Sequence, residues 1–424
     1  SRIGNLMVPG RSSVERFRED RPSSREMARI LRADFLLEGS ARIAGETVKV
    51  TVQLIDGQND EHVWIREFDR PFSVEDVIQI QSEVARAVAA QLQAIVTPEE
   101  AARIAQVPTR DAGAFELLHR ARYRWNMRTE EDVRSSVRLL QEAIDLDPMY
   151  AAAYVALADA YLVLANWGWE NHATAFRAAL AAAERAVELD PSMADAHASL
   201  GGLHLWYTRE WDRAEEEFRT ALELDPEHSY GHFWYSALLS ALGRHEDAVR
   251  EAGIAFRLDP LAPPIASGLP RALFMKQDFT AAEREAREAL ELHPEYGNLH
   301  SILCSALVGA GSFSSAEDAC RRHQEAMGAS HSLSMGILRA YQGDRAGAYA
   351  QVEGATSNTG AEGGQPVIEA MVFAALGEAD RAMELLLRAE EDEYPHLEYL
   401  PTHPFFDNIR PDPRFRALME RVGF

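Results

Sequence analysis

Asp145-Leu-Asp-Pro148, Glu188-Leu-Asp-Pro191, Glu223-Leu-Asp-Pro226, Arg257-Leu-Asp-Pro260 and Glu291-Leu-His-Pro294 are five versions of one phrase, and their prolines stand 43, 35, 34 and 34 residues apart. Between the phrases, small residues return at fixed offsets: Leu200-Gly201 precede Ala214, Phe218 and Ala221, and Ala248, Ala252 and Ala255 hold the same places in the next unit. A pair of short helices cannot bury its apolar stripes alone, so each pair needs neighbours, and alanine or glycine at a crossing lets backbones approach closely. The proline after each second helix stops it and starts a turn. The period continues more faintly through units at about Ala329 to Ala355 and Gly363 to Ala389, which makes eight helical hairpins between Phe115 and Glu391.

A 34-residue period with this pattern resembles the tetratricopeptide repeat. The resemblance implies a mainly α fold, a right-handed superhelical solenoid whose inner groove is lined by the first helix of each unit. Carried over position by position, it gives a partner-binding groove of Trp206, Tyr230, Phe233, Arg271, Phe274, Met275 and Tyr341. Such an aromatic strip with one guanidinium suits an extended or helical peptide; packing between hairpins is the alternative for any one member. The lysine and asparagine clamp of chaperone-tail receptors is missing: Val155, Ala198, Phe233, Ser267 and Ser301 stand there. The 43-residue spacing is read as a longer loop around Asn166 to Glu170, whose Trp167 and Trp169 either dock on their own solenoid or form an accessory binding loop.

The first hundred residues alternate instead. Val48, Val50, Val52 and Leu54 face one way and Lys49, Thr51 and Gln53 the other, a half-buried strand. Asp34 to Ile43 and His62 to Phe68 are read as its neighbours, with Ala44-Gly45-Glu46 as a turn. Ser24 is expected to cap a helix through Leu31, and Ser73 with Asp76 to open one reaching about Ile95. This small, incomplete α/β domain with a three-stranded antiparallel sheet is too slight for a roomy cleft. The chain therefore divides into the α/β domain at 1–97, a linker at 98–114, the repeats at 115–391 and a proline-broken capping tail at 392–424.

The run Arg32 to Ser40, then Val48 to Asp56, Glu61 to Asp69 and Ile80 to Ala85, followed by Leu118-His-Arg-Ala-Arg-Tyr-Arg-Trp125, is similar to the bacterial TolB-amino-terminal-like domain that precedes tetratricopeptide repeats in multidomain regulators. That resemblance implies an effector ahead of this chain: a winged-helix domain, a Ser/Thr kinase or a nucleotide cyclase, sometimes with a membrane helix between. It also implies an earlier strand and helix, so Ser1 is read as following a truncation. Cytoplasm and periplasm are both left open.

The formal charge is -24, and residues 1–110 carry 17 acids against 15 bases, leaving 50 against 28 in residues 111–424. An acidic surface repels phosphate backbones, so nucleic acid is not expected and a basic or amphipathic polypeptide is. No stretch approaches the ~20 apolar residues of a membrane span. Phosphate loops, nucleophile elbows and His-Glu-x-x-His helices are absent from the sequence. His228 and His232, four apart, lack a third ligand and read as a surface pair, while His197, His232 and His300 share a repeated packing position. No metal or cofactor is expected, and no catalytic residue. Cys304 and Cys320, on the two helices of one unit, are read as buried reduced thiols. The reading is a non-enzymatic scaffold that binds a polypeptide in the groove. The alternatives are the sensory part of a signalling protein and a structural subunit of an envelope assembly.

Overall fold

A computed structural model describes residues 17, 22–31, 33–44, 47–71, 73–94, 96–97, 101, 104–127, 129–166, 169–327, 333–359, 365–392, 394 and 397–424. The fold is mainly α behind a three-stranded antiparallel sheet, and the chain forms two compact units, 1–199 with 221–228 and 200–220 with 229–424.

In the first unit, helix α1 (Ser24–Leu31) precedes β1 (Phe35–Ala44), β2 (Thr47–Asp56), β3 (His62–Pro71) and helix α2 (Val74–Gln91). The sheet order is β1-β2-β3, with Phe35 opposite Asp56 and Thr51 opposite Glu67. The alternation in β2 sends Val48, Val52 and Leu54 inward, and Phe68 and Ile80 of α2 join Val48 and Val52 in one apolar cluster. Ser73 caps α2 by accepting from the Asp76 amide at 3.0 Å. The α2 helix ends at Gln91, before the expected limit; Ile95 lies outside the described residues, as does the Gly45-Glu46 turn. The cap of α1 is Ser23 rather than Ser24, since the Ser23 hydroxyl accepts from the Glu26 amide.

Eight hairpins follow among the described residues: α3 (Ala112–Asn126) with α4 (Glu130–Leu146); α5 (Ala151–Asn166) with α6 (His172–Leu189); α7 (Ala194–Leu203) with α8 (Trp211–Leu224); α9 (Ser229–Ala241) with α10 (His245–Leu258); α11 (Pro263–Ala266) and α12 (Gly268–Met275) with α13 (Phe279–Leu292); α14 (Gly297–Gly309) with α15 (Phe313–Met327); α16 (Ser334–Tyr341) with α17 (Arg345–Thr359); and α18 (Pro366–Ala375) with α19 (Ala379–Glu391). The faint starts at Ala329 and Gly363 fall outside the described residues. Helix α20 (Pro413–Arg421) closes the chain.

Two irregular spacings have distinct structural causes. The 43-residue interval was expected to be loop, yet α5 has 16 residues and α6 has 18, against 13 in α9 and 14 in α10. Runs such as Ala151-Ala-Ala153 and Ala181-Ala-Ala183 carry the highest helix propensity, so most of the insertion extends the helices. The 35-residue interval holds one extra residue, and it is absorbed by a π-helical turn, His204–Thr208, at the end of α7. Four hairpins join their two helices through a glycine of positive φ: Gly243 at 72°, Gly311 at 72°, Gly343 at 77° and Gly377 at 74°. Gln277 and Arg209 adopt the same left-handed conformation without that freedom.

Small residues do lie at the crossings. A Cβ on Gly201 would stand 2.9 Å from the ring of the fully buried Phe218. Cys304 and Cys320 occupy the equivalent crossing of α14 and α15 and are joined as a disulfide, which corrects the expectation of two thiols. His197, His232 and His300 are each 7% exposed, so His232 belongs to the core and not to a surface pair with His228.

His323, on α15, is buried with Nδ1 2.6 Å from the Ser334 hydroxyl. Burial, with His300 nearby, pushes its pKa down to about 4 from an ordinary 6.5. The unfolded chain therefore takes up a proton that the folded chain refuses as pH falls through that window. Stability is expected to be complete above pH 6.5 and to drop toward pH 4 by as much as about 3 kcal/mol from this group. Urea unfolding of wild type and His323→Asn across the window checks this; parallel pH profiles would count against it.

Candidate partner-binding site

The residues assigned to the groove fall into two groups within the second unit. Trp206 rides on the π turn and is half-buried, with its ring set on the backbone of Gly202, where a Cβ would stand 2.9 Å from it. Its ring meets that of Trp234 edge-on at 5.7 Å, and Trp234 meets Tyr230 at 5.7 Å. Phe233 is buried against Ala255, Ala262 and Ile265, its ring lying on the Gly268 backbone, and the Arg271 guanidinium sits 5.1 Å from its centroid. Trp206, Tyr230, Trp234 and Arg271 stay half-exposed around this anchor. Trp234 was not foreseen; its signal was the aromatic run Tyr230 to Tyr235 on one short helix.

Phe274, Met275 and Tyr341 are placed differently, under the chain's own C-terminal segment. Phe274 and Met275 are buried, and the Phe405 ring lies 5.5 Å from Phe274 and 5.4 Å from the half-buried Tyr341. His403 adds a second ring 5.4 Å from Phe274. The segment also packs its Leu397–Tyr399 turn on α9 and its Pro404–Phe406 turn on α18. It thus crosses the first helices of several hairpins, which is the face where a peptide was expected. Arg410 ties the crossing together, donating to the carbonyls of Leu400 at 3.3 Å and His403 at 3.2 Å, as well as to that of Pro401. At its end, the Trp211 indole donates to the Gly423 carbonyl at 3.0 Å and stacks on Phe424 at 4.7 Å. Helix α20 lies against α19, where Arg421 donates to both carboxylate oxygens of Glu390 at 2.8 and 2.9 Å. The segment is both a cap on the last hairpin and a resident of the inner face.

In the first unit, Trp169 is half-buried and held at its carbonyl by Arg134, which also pairs with Glu170 at 3.0 Å. Trp167 lies outside the described residues. Ser199 donates to Asp159 at 2.9 Å, and His228 lies 2.9 Å from Asp195. Burial alone would lower the His228 pKa, but the hydrogen bond to Asp195, with the charges of Asp195, Asp225 and Asp159, raises it. The expectation that the α/β domain offers no roomy cleft is corrected. An apolar cleft of about 920 Å³ is lined by Val50, Val52 and Val84 together with Met149, Ala152 and Met193, because repeat helices supply the second wall. Among the described residues no cluster of three or more metal-ligating side chains occurs, and no helix is long and apolar enough to cross a membrane.

Residues 200–263 match the family described as Tetratricopeptide repeat. Residues 200–263 thus carry tetratricopeptide repeats. The chain is 31% identical over 220 residues to a protein of Rhizobium meliloti (strain 1021) named "Putative adenylate cyclase 3", a match that takes in 51% of this chain and 36% of that protein. The chain thus spans little more than a third of the length of the curated relative it matches. Among solved structures it is similar to PilW, described as a widely conserved type IV pilus biogenesis factor, at 20% identity and a TM-score of 0.42, covering 51% of this chain and 98% of that one. It is also similar to Pseudomonas aeruginosa pilF at 23% identity and a TM-score of 0.38, covering 49% and 91%.

Proposed function

We propose that the chain is a non-enzymatic interaction module that binds a polypeptide through the half-exposed aromatic cluster of Trp206, Tyr230 and Trp234, with Phe233 and Arg271 as its base. The observation that carries this reading is that the cluster stays accessible while Phe274, Met275 and Tyr341 are taken up by the C-terminal segment. Large rigid rings beside a guanidinium give binding energy at small entropic cost. The π turn strengthens the reading, since such insertions re-aim side chains and persist where function offsets their cost. The partner is a basic or amphipathic polypeptide, in keeping with the acidic repeats.

The test is capture of partners by the full chain and by a Trp206→Ala, Trp234→Ala double variant. Loss of two half-buried anchor rings is expected to weaken binding at least ~30-fold, with circular dichroism checking that the double variant stays folded at the assay temperature. Recovery of the same proteins by both chains would move the binding surface elsewhere. Phe233 and Phe274 do not serve as test positions, because both are buried core residues whose loss is expected to destabilise the second unit.

A second reading is favoured by the cyclase relative: this chain is the regulatory portion of a longer signalling protein, with the TolB-amino-terminal-like domain and repeats following an effector. The full gene decides this. An open reading frame encoding a catalytic or DNA-binding domain ahead of Ser1 supports it, and a frame without one removes it.

A further inference from the structure

We propose that Cys304 and Cys320 form a structural disulfide in the working protein, and that the second unit therefore matures in an oxidising compartment. This goes beyond the partner-binding reading and does not rest on it. The two residues face each other where α14 and α15 come closest, the register position that holds Gly201 and Phe218 in the α7–α8 hairpin. There one ring fills the space above a bare backbone. Here neither residue is large enough to fill it alone, and a bonded pair of sulfurs does so.

Their Cα atoms are 5.0 Å apart, within the roughly 4.4–6.8 Å that a disulfide spans, and the residues are 2% and 0% exposed. Both helices are long, regular and anchored by alanines at their crossing, so the separation is set by packing and does not require backbone movement. The environment argues for a structural bond over a catalytic one. Reactive cysteine pairs are accessible and lie beside a positive charge that stabilises the thiolate. Cys304 Sγ lies 3.9 Å from the Ser334 carbonyl oxygen, and His323, which contacts the same serine, is neutral through burial.

Formation is an exchange: the two thiols lose two protons and two electrons as the S–S bond forms, and the disulfide of a protein oxidant or of oxidised glutathione is reduced to two thiols. Since the sulfurs are enclosed in the folded hairpin, exchange takes place while it is still open, and reductants do not reach the bond afterwards. Such bonds persist in the periplasm and outside cells and are rare in reducing cytosol.

The test begins in intact cells of the source organism. They are quenched with acid and the chain is denatured in excess N-ethylmaleimide, so that enclosed thiols are alkylated as well; it is then reduced and labelled with an isotopically heavy maleimide. The expected result is heavy label on both cysteines and a cross-linked peptide in the unreduced digest. Light label on both overturns the proposal. A second measurement compares melting of the purified full chain before and after reduction in denaturant and refolding under reductant. The oxidised form is expected to melt roughly 10 °C higher, given the short loop the bond closes. Equal melting of the two forms overturns the structural role.

Discussion

Truncation after Asp392 is expected to unfold the second unit and leave the chain aggregating at concentrations where the full protein is soluble. The removed segment contributes Leu397, Leu400, Phe405, Phe406, Ile409, Phe415, Leu418 and Val422, all buried and all part of the same apolar cluster as Phe274, Leu307 and Leu338. Each such side chain contributes roughly 1.5–3 kcal/mol by leaving water, so the loss is comparable with the whole ~5–15 kcal/mol by which a domain is stable. The newly bare face would also be an apolar patch large enough to associate. A milder version is Phe406→Ala, where a fully buried ring is replaced by a cavity, with an expected cost of about 3–5 kcal/mol. Trp211 fluorescence reports the event directly, because its indole stacks on Phe424. Both are checked by urea unfolding, and a truncated chain that melts with wild type would show the segment to be an ornament.

The second large effect is expected at Glu251. Its carboxylate lies 2.6 Å from His232 Nδ1, and the two residues are 8% and 7% exposed, so the pair is made inside the α9–α10 hairpin. Arg250 reaches the other oxygen from the surface at 3.3 Å. A buried polar pair adds little over an apolar replacement of the same shape, but removing the carboxylate takes away the bond to a buried ring nitrogen that water does not reach. Glu251→Ala is therefore expected to cost about 3–5 kcal/mol at neutral pH. Glu251→Gln, which keeps an oxygen for the ring nitrogen, is expected to cost clearly less. Denaturant curves for the two variants separate these outcomes, and equal small effects would mean that His232 finds another partner.

The repeat positions explain why some assignments from sequence were placed well and others were not. Gly201 opposite Phe218, and alanines at the other crossings, follow from local spacing, because each helix packs against its own hairpin partner a short distance along the chain. The π turn was equally present in the spacing, as the single residue by which Pro191 to Pro226 exceeds the period. The cysteine pair was legible as two facing positions, while whether the sulfurs were joined depended on a helix separation that no pattern carries. The cleft beside the sheet was missed because one wall belongs to the sheet and the other to residues near Met149 and Met193.

The sequence by itself determined the hairpins, their register, the alternating strands and the apolar stripe of each helix, since periodicity is a property of neighbours a few residues apart. It marked Trp206, Tyr230, Phe233, Arg271, Phe274, Met275 and Tyr341 alike, as residues on the first-helix face. Only the tertiary structure decided which of them stay partly open to solvent. The C-terminal segment returns across that face and clasps Trp211 through Gly423, 212 residues along the chain. A contact of that span leaves no periodic trace: an apolar residue in the segment reads the same whether it covers a groove or faces another molecule, and the choice is made by shape and by the water that the closed packing excludes.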